Sequence, residues 1–202
     1  MAALITYAIP TQRFETIRDA IGGIIAVELA GQKSITGEII FNAGVFVERF
    51  IPFDNTELPS VNIYFESVNF SNNDHTSQTG DINYIIEVTT SGVNSSTTRA
   101  DVQACKNCQK LMGKIRAILS AGEYRFLGLT QGIIQNKSII SIKMGQPTAN
   151  HDSISSVSGQ LILKVKANEI NAELQPIEIG DIFSKFTVEE TDLGIKILTI
   201  NT

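Results

Sequence analysis

The chain contains no tryptophan, and its 202 residues include only two histidines, two cysteines and five prolines. The sequence also lacks a Walker loop, a G-x-G-x-x-G stretch, a G-x-S-x-G elbow and an H-E-x-x-H pair. These motifs hold phosphates, dinucleotides, nucleophilic serines and catalytic zinc. The sequence therefore offers no motif for the common nucleotide-dependent, hydrolytic or zinc-dependent chemistries, and we expect no catalytic residues and no cofactor.

Long apolar runs are absent as well. No stretch of 18 apolar residues occurs, so the sequence predicts no transmembrane helix. The first 15 residues lack the basic and long apolar regions of a secretory signal, and we expect a protein that folds in the cytoplasm without membrane contact. The net charge of −5 and pI near 5.1 argue against broad electrostatic binding to nucleic acid or anionic lipid.

The two cysteines form the most suggestive short motif, Cys105-Lys106-Asn107-Cys108. Zinc takes about four ligands, and no second cysteine pair exists; His75 and His151 would complete a site only if two distant loops converged. The pair also lies inside a predicted helix rather than at its start, where a thiolate would be activated. Two reduced, buried structural thiols are the favoured interpretation, and no metal site is predicted.

What is present is enough apolar sequence for a core, with 43% hydrophobic and 18% charged residues. The chain is organised around a predicted long helix from Thr98 to about Ser120. We expect Thr98 to cap its start and Gly122 to follow its end in a left-handed conformation. One apolar stripe recurs at three- and four-residue steps, formed by Val102, Cys105, Cys108, Leu111, Met112, Ile115, Ile118 and Leu119.

The remaining periodicities place strands on both sides of this helix. A first helix is predicted from Pro10 and Thr11 to about Ala30-Gly31, weakened in its middle by Gly22-Gly23. Strands are then predicted at residues 37–53 (one or two), 60–67, 82–90, 133–145 and 157–169, followed by a C-terminal hairpin around residues 191–194.

This order predicts an α+β fold: a mixed or antiparallel β-sheet packed against a long central helix and an N-terminal helix, with a C-terminal β-hairpin extension. We assign residues 1–169 to the α+β domain and residues 170–202 to the extension.

Two polar stretches, residues 69–81 and 146–156, are predicted to be long loops joined to paired strands. They are the candidate subunit or partner contacts, since loops carry recognition on rigid scaffolds. Asp74-His75 and His151-Asp152 could be read as halves of catalytic dyads, but no serine or cysteine is placed to partner them. The candidate contact residues are Asn72, Asn73, Asp74, His75, Gln146, Asn150, His151 and Asp152.

A basic helix face is the other candidate surface. Lys106, Lys110, Lys114 and Arg116 share the predicted helix, and Lys164 and Lys166 lie on a strand. Contact with acidic partners, or with DNA passing through a ring without sequence specificity, is one interpretation. A simple solvated face is the favoured one.

The pattern resembles the phage tail terminator (tail completion) family. That family has an opening helix, a strand beginning Pro-aliphatic-x-aliphatic-Tyr, a second strand, a long helix and two closing strands. The matching stretches cover roughly residues 10–169 and are LPSVNIYFES (58–67), DINYIIEVTTSG (81–92), ADVQACKNCQKLMGKIRAIL (100–119) and SVSGQLILKVKANE (156–169). The 37–53 segment and the extension beyond residue 169 depart from the smaller members.

The resemblance implies a structural virion protein without catalysis, assembled in the host cytoplasm and located in the tail or neck. In the family, six copies form a ring that caps the tail tube, stops its polymerisation and joins it to the head connector. The implied partners are other copies of the chain, the tail tube protein and the head–tail connector. The alternatives are another neck, connector or tail-tube protein, or a small cytoplasmic α+β ligand-binding domain or enzyme.

Overall fold

The computed structural model describes residues 8, 11–71, 77–151, 154–170, 186–191 and 194–199. The described chain is an α+β fold, as predicted. Its helices are α1 (Arg13–Thr36) and α2 (Ala100–Ser120), and its strands are β1 (Gly44–Val47), β2 (Ser60–Ser71), β3 (Ser77–Val93), β4 (Ile134–Met144), β5 (Thr148–His151), β6 (Ile154–Ile170), β7 (Phe186–Thr191) and β8 (Gly194–Thr199).

One mixed sheet carries the fold. Its strand order is β1-β2-β3-β6-β4, and β5 pairs with the start of β6. β1 runs parallel to β2, and every other pair in the sheet is antiparallel. β3 and β6 stay in register from Ser77 opposite Ile170 to Val93 opposite Ile154, which makes a ladder roughly 50 Å long at ~3.3 Å per residue. β7 and β8 form a separate two-stranded sheet, the predicted C-terminal hairpin.

Both helices cover the same face of this sheet. Alternate β3 residues are fully buried against them, which confirms the period-two pattern of the sequence. Their partners on β6 are buried on the same face, so the two central strands supply the floor of the core. The buried residues of these strands are Ile82, Tyr84, Ile86, Val88, Val157, Leu161, Leu163 and Val165, and those of the helices include Ile17, Ile21, Ile25, Leu29, Ala104, Cys108, Leu111, Met112 and Ile115.

Helix α1 is longer than predicted, since it continues past Ala30-Gly31 to Thr36, and the Gly22-Gly23 pair lies within it. A Cβ on Gly22 would lie 3.0 Å from a Val47 methyl, so this glycine lets α1 pack closely on β1. The helix continues past Ala30-Gly31 and ends at Gly37, whose φ of 72° allows its N–H to donate to the Lys33 carbonyl at 2.8 Å.

The predicted caps of α2 are both wrong. Its first turn is capped by Asn94, whose Oδ1 accepts from the Ala100 N–H at 2.7 Å, and not by Thr98. Its last turn ends at Ala121 in extended backbone, and the Lys137 ammonium donates to the Leu119 carbonyl. Gly122 instead opens a short 3₁₀ turn. The predicted apolar stripe is correct except at Val102, which is 42% exposed.

The 37–53 segment contains a 3₁₀ turn, Ile39–Phe41, and only the short strand β1. Phe50 and Ile51, which the sequence suggested as strand residues, project into solvent beyond it. β2, β3 and β6 each extend past their predicted ends, because residues that are polar in sequence still pair their backbones. The polar loops predicted between these strands are therefore much shorter than expected.

The start of α2 depends on a close approach to β3. A Cβ on Gly92 would lie 2.2 Å from the Ala100 carbonyl oxygen and 2.6 Å from the Ala104 nitrogen, and both are backbone atoms that cannot turn aside. On Gly113 of the same helix an added Cβ meets nothing within 4 Å.

We therefore expect Gly92→Ala to destabilise the chain by roughly 2–3 kcal/mol or more. Gly113→Ala should stabilise it by ~0.5–1 kcal/mol, since alanine favours the helix. Urea unfolding followed by circular dichroism measures both. Equal stability of the two variants would contradict the close packing of α2 on β3.

Candidate interaction surfaces

The two predicted polar loops lie at opposite ends of the β3–β6 ladder. Asn69, Phe70 and Ser71 pair with Asp81, Gly80 and Thr79, so the first predicted loop is mostly the end of a hairpin. Its candidate residues Asn72, Asn73, Asp74 and His75 lie outside the described residues. The hairpin adjoins the end of the ladder where Ser77 meets Ile170.

The second predicted loop is also largely strand. Thr148 and Ala149 of β5 pair with Ser156 and Ser155 at the other end of the ladder. Gln146 is exposed just before this strand, and Asn150 and His151 lie within it. Asp152 lies outside the described residues. The candidate contacts therefore form two groups, separated by most of the ladder's length, and not one site.

The predicted basic face of α2 is divided by its neighbours. Lys110 forms an ion pair with Glu38, and the ammonium groups of Lys110 and Lys114 lie 5.9 and 5.4 Å from the Phe41 ring centre. Arg116 faces a cleft near the end of the helix instead. The lysines at 110 and 114 thus help to hold the segment between α1 and β1 against α2.

The cysteine pair lies on the side of α2 that faces the core. Cys108 is fully buried, and its Sγ lies 3.8 Å from the Val88 carbonyl oxygen; Cys105 is half-buried. Burial, reinforced by the neighbouring Cys105 thiol, raises the pKa of Cys108 to about 11. In the described part of the chain no three histidine, cysteine or acidic side chains come together as metal ligands.

We expect Cys108 to react far more slowly than Cys105 with a thiol reagent at pH 7–8, because the reactive thiolate is disfavoured and the atom is covered. Labelling followed by peptide mass spectrometry measures both rates, with the urea-unfolded chain as the control in which they converge. Equal native labelling rates would contradict the burial.

The raised pKa of Cys108 also predicts a pH dependence of the free energy of unfolding. The protonated thiol stabilises the folded state fully below the unfolded pKa near 9, and this stabilisation should be lost progressively towards pH 11.

The second face of the sheet carries no helix in the described part of the chain. At its centre Tyr64, Ile85 and Ile162 stand side by side on β2, β3 and β6, and all three are half-buried. Burial first, and then Glu87 and Glu66, raise the pKa of the Tyr64 hydroxyl. Polar neighbours such as Gln160 surround this small apolar strip, which is typical of a solvated antiparallel face.

The β1 edge of the sheet presents an apolar tip. Phe50 is 84% and Ile51 73% exposed in the segment that follows β1. Beneath them, the Arg49 guanidinium stacks on Phe46 and Phe53, with ring centres 4.8 and 4.4 Å away. We call Phe50 and Ile51, with this support, the β1-edge tip.

Hydrogen bonds hold the base of the β1-edge tip. Arg49 donates twice to Glu57, both at 2.8 Å, in a bidentate pair that lowers the pKa of Glu57. The Asn62 side-chain amide is buried below; it donates to the Arg49 carbonyl at 2.7 Å and accepts from the Arg49 N–H at 3.2 Å. Because the base of the tip is already fixed, a partner can bind its apolar side chains with little further loss of conformational entropy.

The β4 edge lies on the opposite side of the sheet. Among the described strands β4 pairs only with β6, so the backbone of its outer side has no strand partner. Ile140, Ile142 and Met144 are 54%, 46% and 38% exposed along it. An uncovered edge with aliphatic side chains is a template for strand addition.

A cationic cleft adjoins the first half of β4. It has a volume of about 440 Å³ and lies between the end of α2 and β4. Arg116, Arg125 and Lys137 line it over an apolar floor that includes Leu119 and Ile139, and none of its described lining residues is acidic. Burial lowers the pKa of Lys137. Three cations without a carboxylate make the cleft suited to an anionic group.

Sequence reasoning missed the β1-edge tip, the β4 edge and the cationic cleft. The sequence predicts a strand at residues 133–145, but only the pairing order of the strands shows that this strand, β4, lies at the edge of the sheet.

No protein-family model matches the chain, and a search of curated proteins found no similar one. No helix in the described ranges is both long and apolar enough to cross a membrane.

Proposed function

We propose that the chain is a structural virion protein, a tail terminator that forms a homo-oligomeric ring, caps the tail tube and joins it to the head connector. The order of elements supports this: an opening helix, a strand pair, a long helix and a closing strand pair are what the resemblance implies. The additional β1 and the C-terminal hairpin are elaborations of that plan.

The observation that carries the proposal is the position of two different apolar patches on opposite edges of one sheet. Phe50 and Ile51 lie at the β1 edge, and Ile140, Ile142 and Met144 lie at the β4 edge. A closed ring of identical subunits uses head-to-tail contacts, in which each subunit offers one surface to one neighbour and a different surface to the other. Two unlike patches on opposite sides of a rigid sheet meet that requirement.

The two ends of the β3–β6 ladder supply the other contacts that a terminator needs. Each end adjoins a stretch of polar sequence, residues 72–76 at one end and 146–153 at the other. With the ladder along the ring axis, one end would meet the last ring of the tube and the other the connector. Because the two ends differ, the exposed end would not repeat the tube surface, and growth would stop.

Mass photometry and negative-stain microscopy of the purified chain test the ring. We expect closed rings, most simply of six copies, and capping of purified tail tubes at one end. Open tubes made by the chain alone would point to a tube subunit instead. A chain that stays monomeric and leaves tube ends free would refute the proposal.

A matched pair of variants tests the edge contact. Phe50→Asp should raise the concentration needed for half-assembly at least tenfold, because it places a charge at the centre of a desolvated contact. Val27→Asp serves as the control, since Val27 is also an exposed apolar residue, at 69%, but belongs to helix α1 and not to the β1-edge tip. Both variants should fold normally by circular dichroism. Equal loss of assembly in the two would remove the β1-edge tip from the contact.

A further inference from the structure

The outer side of β4 combines three features that together describe what could bind there. It has a backbone edge without a strand partner among the described strands, a row of exposed aliphatic side chains, and the cationic cleft beside its first half. Lys143 is also exposed near its end. The complementary ligand is an extended segment that is both aliphatic and acidic.

The chain's own C-terminal segment has this composition. Residues 171–202 contain six acidic and two basic residues, so they carry a charge of −4 out of the chain's −5, and residues 1–170 carry only −1. The strand β7 includes the adjacent Glu189 and Glu190, and β8 has the sequence GIKILT.

The C-terminal hairpin also needs a surface on which to pack. β7 and β8 pair over six positions, from Phe186 opposite Thr199 to Thr191 opposite Gly194. A two-stranded sheet of this size is marginal in water by itself, and a third strand or a packing surface is needed to stabilise it. Within the described strands the hairpin pairs only with itself, and β4 does not pair with it.

We infer that the hairpin β7–β8 of a second copy adds to the outer edge of β4, with Glu189 and Glu190 beside the cationic cleft. This rests on the proposed function in taking the second copy to be the next subunit of the ring. The linker between β6 and β7, residues 171–185, can extend to roughly 50 Å. The five-position sheet is only ~20 Å wide, so the linker is long enough to carry the hairpin beyond the edge of its own sheet to a neighbouring subunit. The sheet of one subunit would then be extended by two strands of its neighbour.

Charge reversal with rescue tests this contact in the full-length chain. Glu189→Lys with Glu190→Lys should weaken ring assembly about tenfold or more, and so should Arg116→Glu with Arg125→Glu. The chain carrying all four changes restores opposite charges and should recover at least half of the lost affinity. Arg99→Glu with Lys106→Glu reverses two exposed cations elsewhere on or beside α2 and should leave assembly unchanged.

Cross-linking distinguishes the second copy from the same chain. Light and ¹⁵N-labelled chains are mixed, and carboxylates are joined to lysines by a zero-length reagent. Links from Lys137 to Glu189 or Glu190 should appear in mixed-isotope pairs. Links found only within one isotope would show that the hairpin binds its own chain and would overturn the inference.

The failure of this inference differs from the failure of the proposed function. Rings that assemble and cap tubes equally well with Glu189→Lys and Glu190→Lys overturn the hairpin contact and leave the terminator intact. Chains that link in mixed-isotope pairs but neither close rings nor cap tubes retain the hairpin contact and refute the terminator. Failure of the fourfold variant to recover, with normal folding, also counts against the pairing of these charges.

Discussion

The fold depends on one contact above all, the burial of the helix-facing side of β3 and β6 beneath α2. The strand residues Ile86, Val88 and Leu161 are fully buried there, and each such side chain stabilises the fold by ~1.5–3 kcal/mol relative to exposure. Two hydroxyl groups of β3 fix the helices on the sheet, the first holding α2 and the second α1. The Thr90 hydroxyl donates to the Ala104 carbonyl at 2.9 Å, and the Tyr84 hydroxyl donates to the Phe14 carbonyl at 2.8 Å. These bonds satisfy groups that would otherwise be buried without partners.

This contact sets where small residues are needed. Gly92 lets the first turn of α2 approach β3, and Gly159 makes room for the Met112 and Cys108 sulfurs, which would lie 2.5 and 3.0 Å from an added Cβ. The buried Cys108 is then explained by packing, as a small apolar group between α2 and the central strands. The two cysteines therefore belong to the core-facing side of α2, and their three-residue spacing is the spacing of residues on one face of a helix.

Placing both helices on one side leaves the rest of the sheet available for recognition. The helix-free face remains largely polar, whereas the two edges expose apolar side chains, Phe50 and Ile51 on one and the β4 row on the other. The net negative charge is likewise uneven, since −4 of the −5 lies beyond residue 170, while Arg116, Arg125 and Lys137 lie together beside β4. A protein that assembles with its own copies benefits from such unlike surfaces, because they favour a single head-to-tail orientation.

By itself, the sequence determined the class of fold, the existence of both helices and of the central strands, and most of the apolar stripe of α2. These follow from periodicity, which is a local property: alternate β3 residues and the three- and four-residue steps of α2 point to the core whatever surrounds them. Element ends were less predictable. The sequence predicts a weak point in α1 at Gly22, but in the structure this glycine allows close packing against Val47. The sequence also predicts Thr98 as the cap of α2, whereas Asn94, which lies outside the helix, accepts the hydrogen bond from Ala100.

Only the tertiary structure decided which surfaces are available. The alternation of residues 133–145 predicts a strand but not that it lies at an edge, and Arg116, Arg125 and Lys137 are too far apart in sequence to indicate a common cleft. The same holds for the candidate contacts at 72–75 and 146–152, which looked alike as polar loops and are assigned to opposite ends by the register of β3 and β6. Strand order and register arise from contacts between distant segments, and no local pattern encodes them.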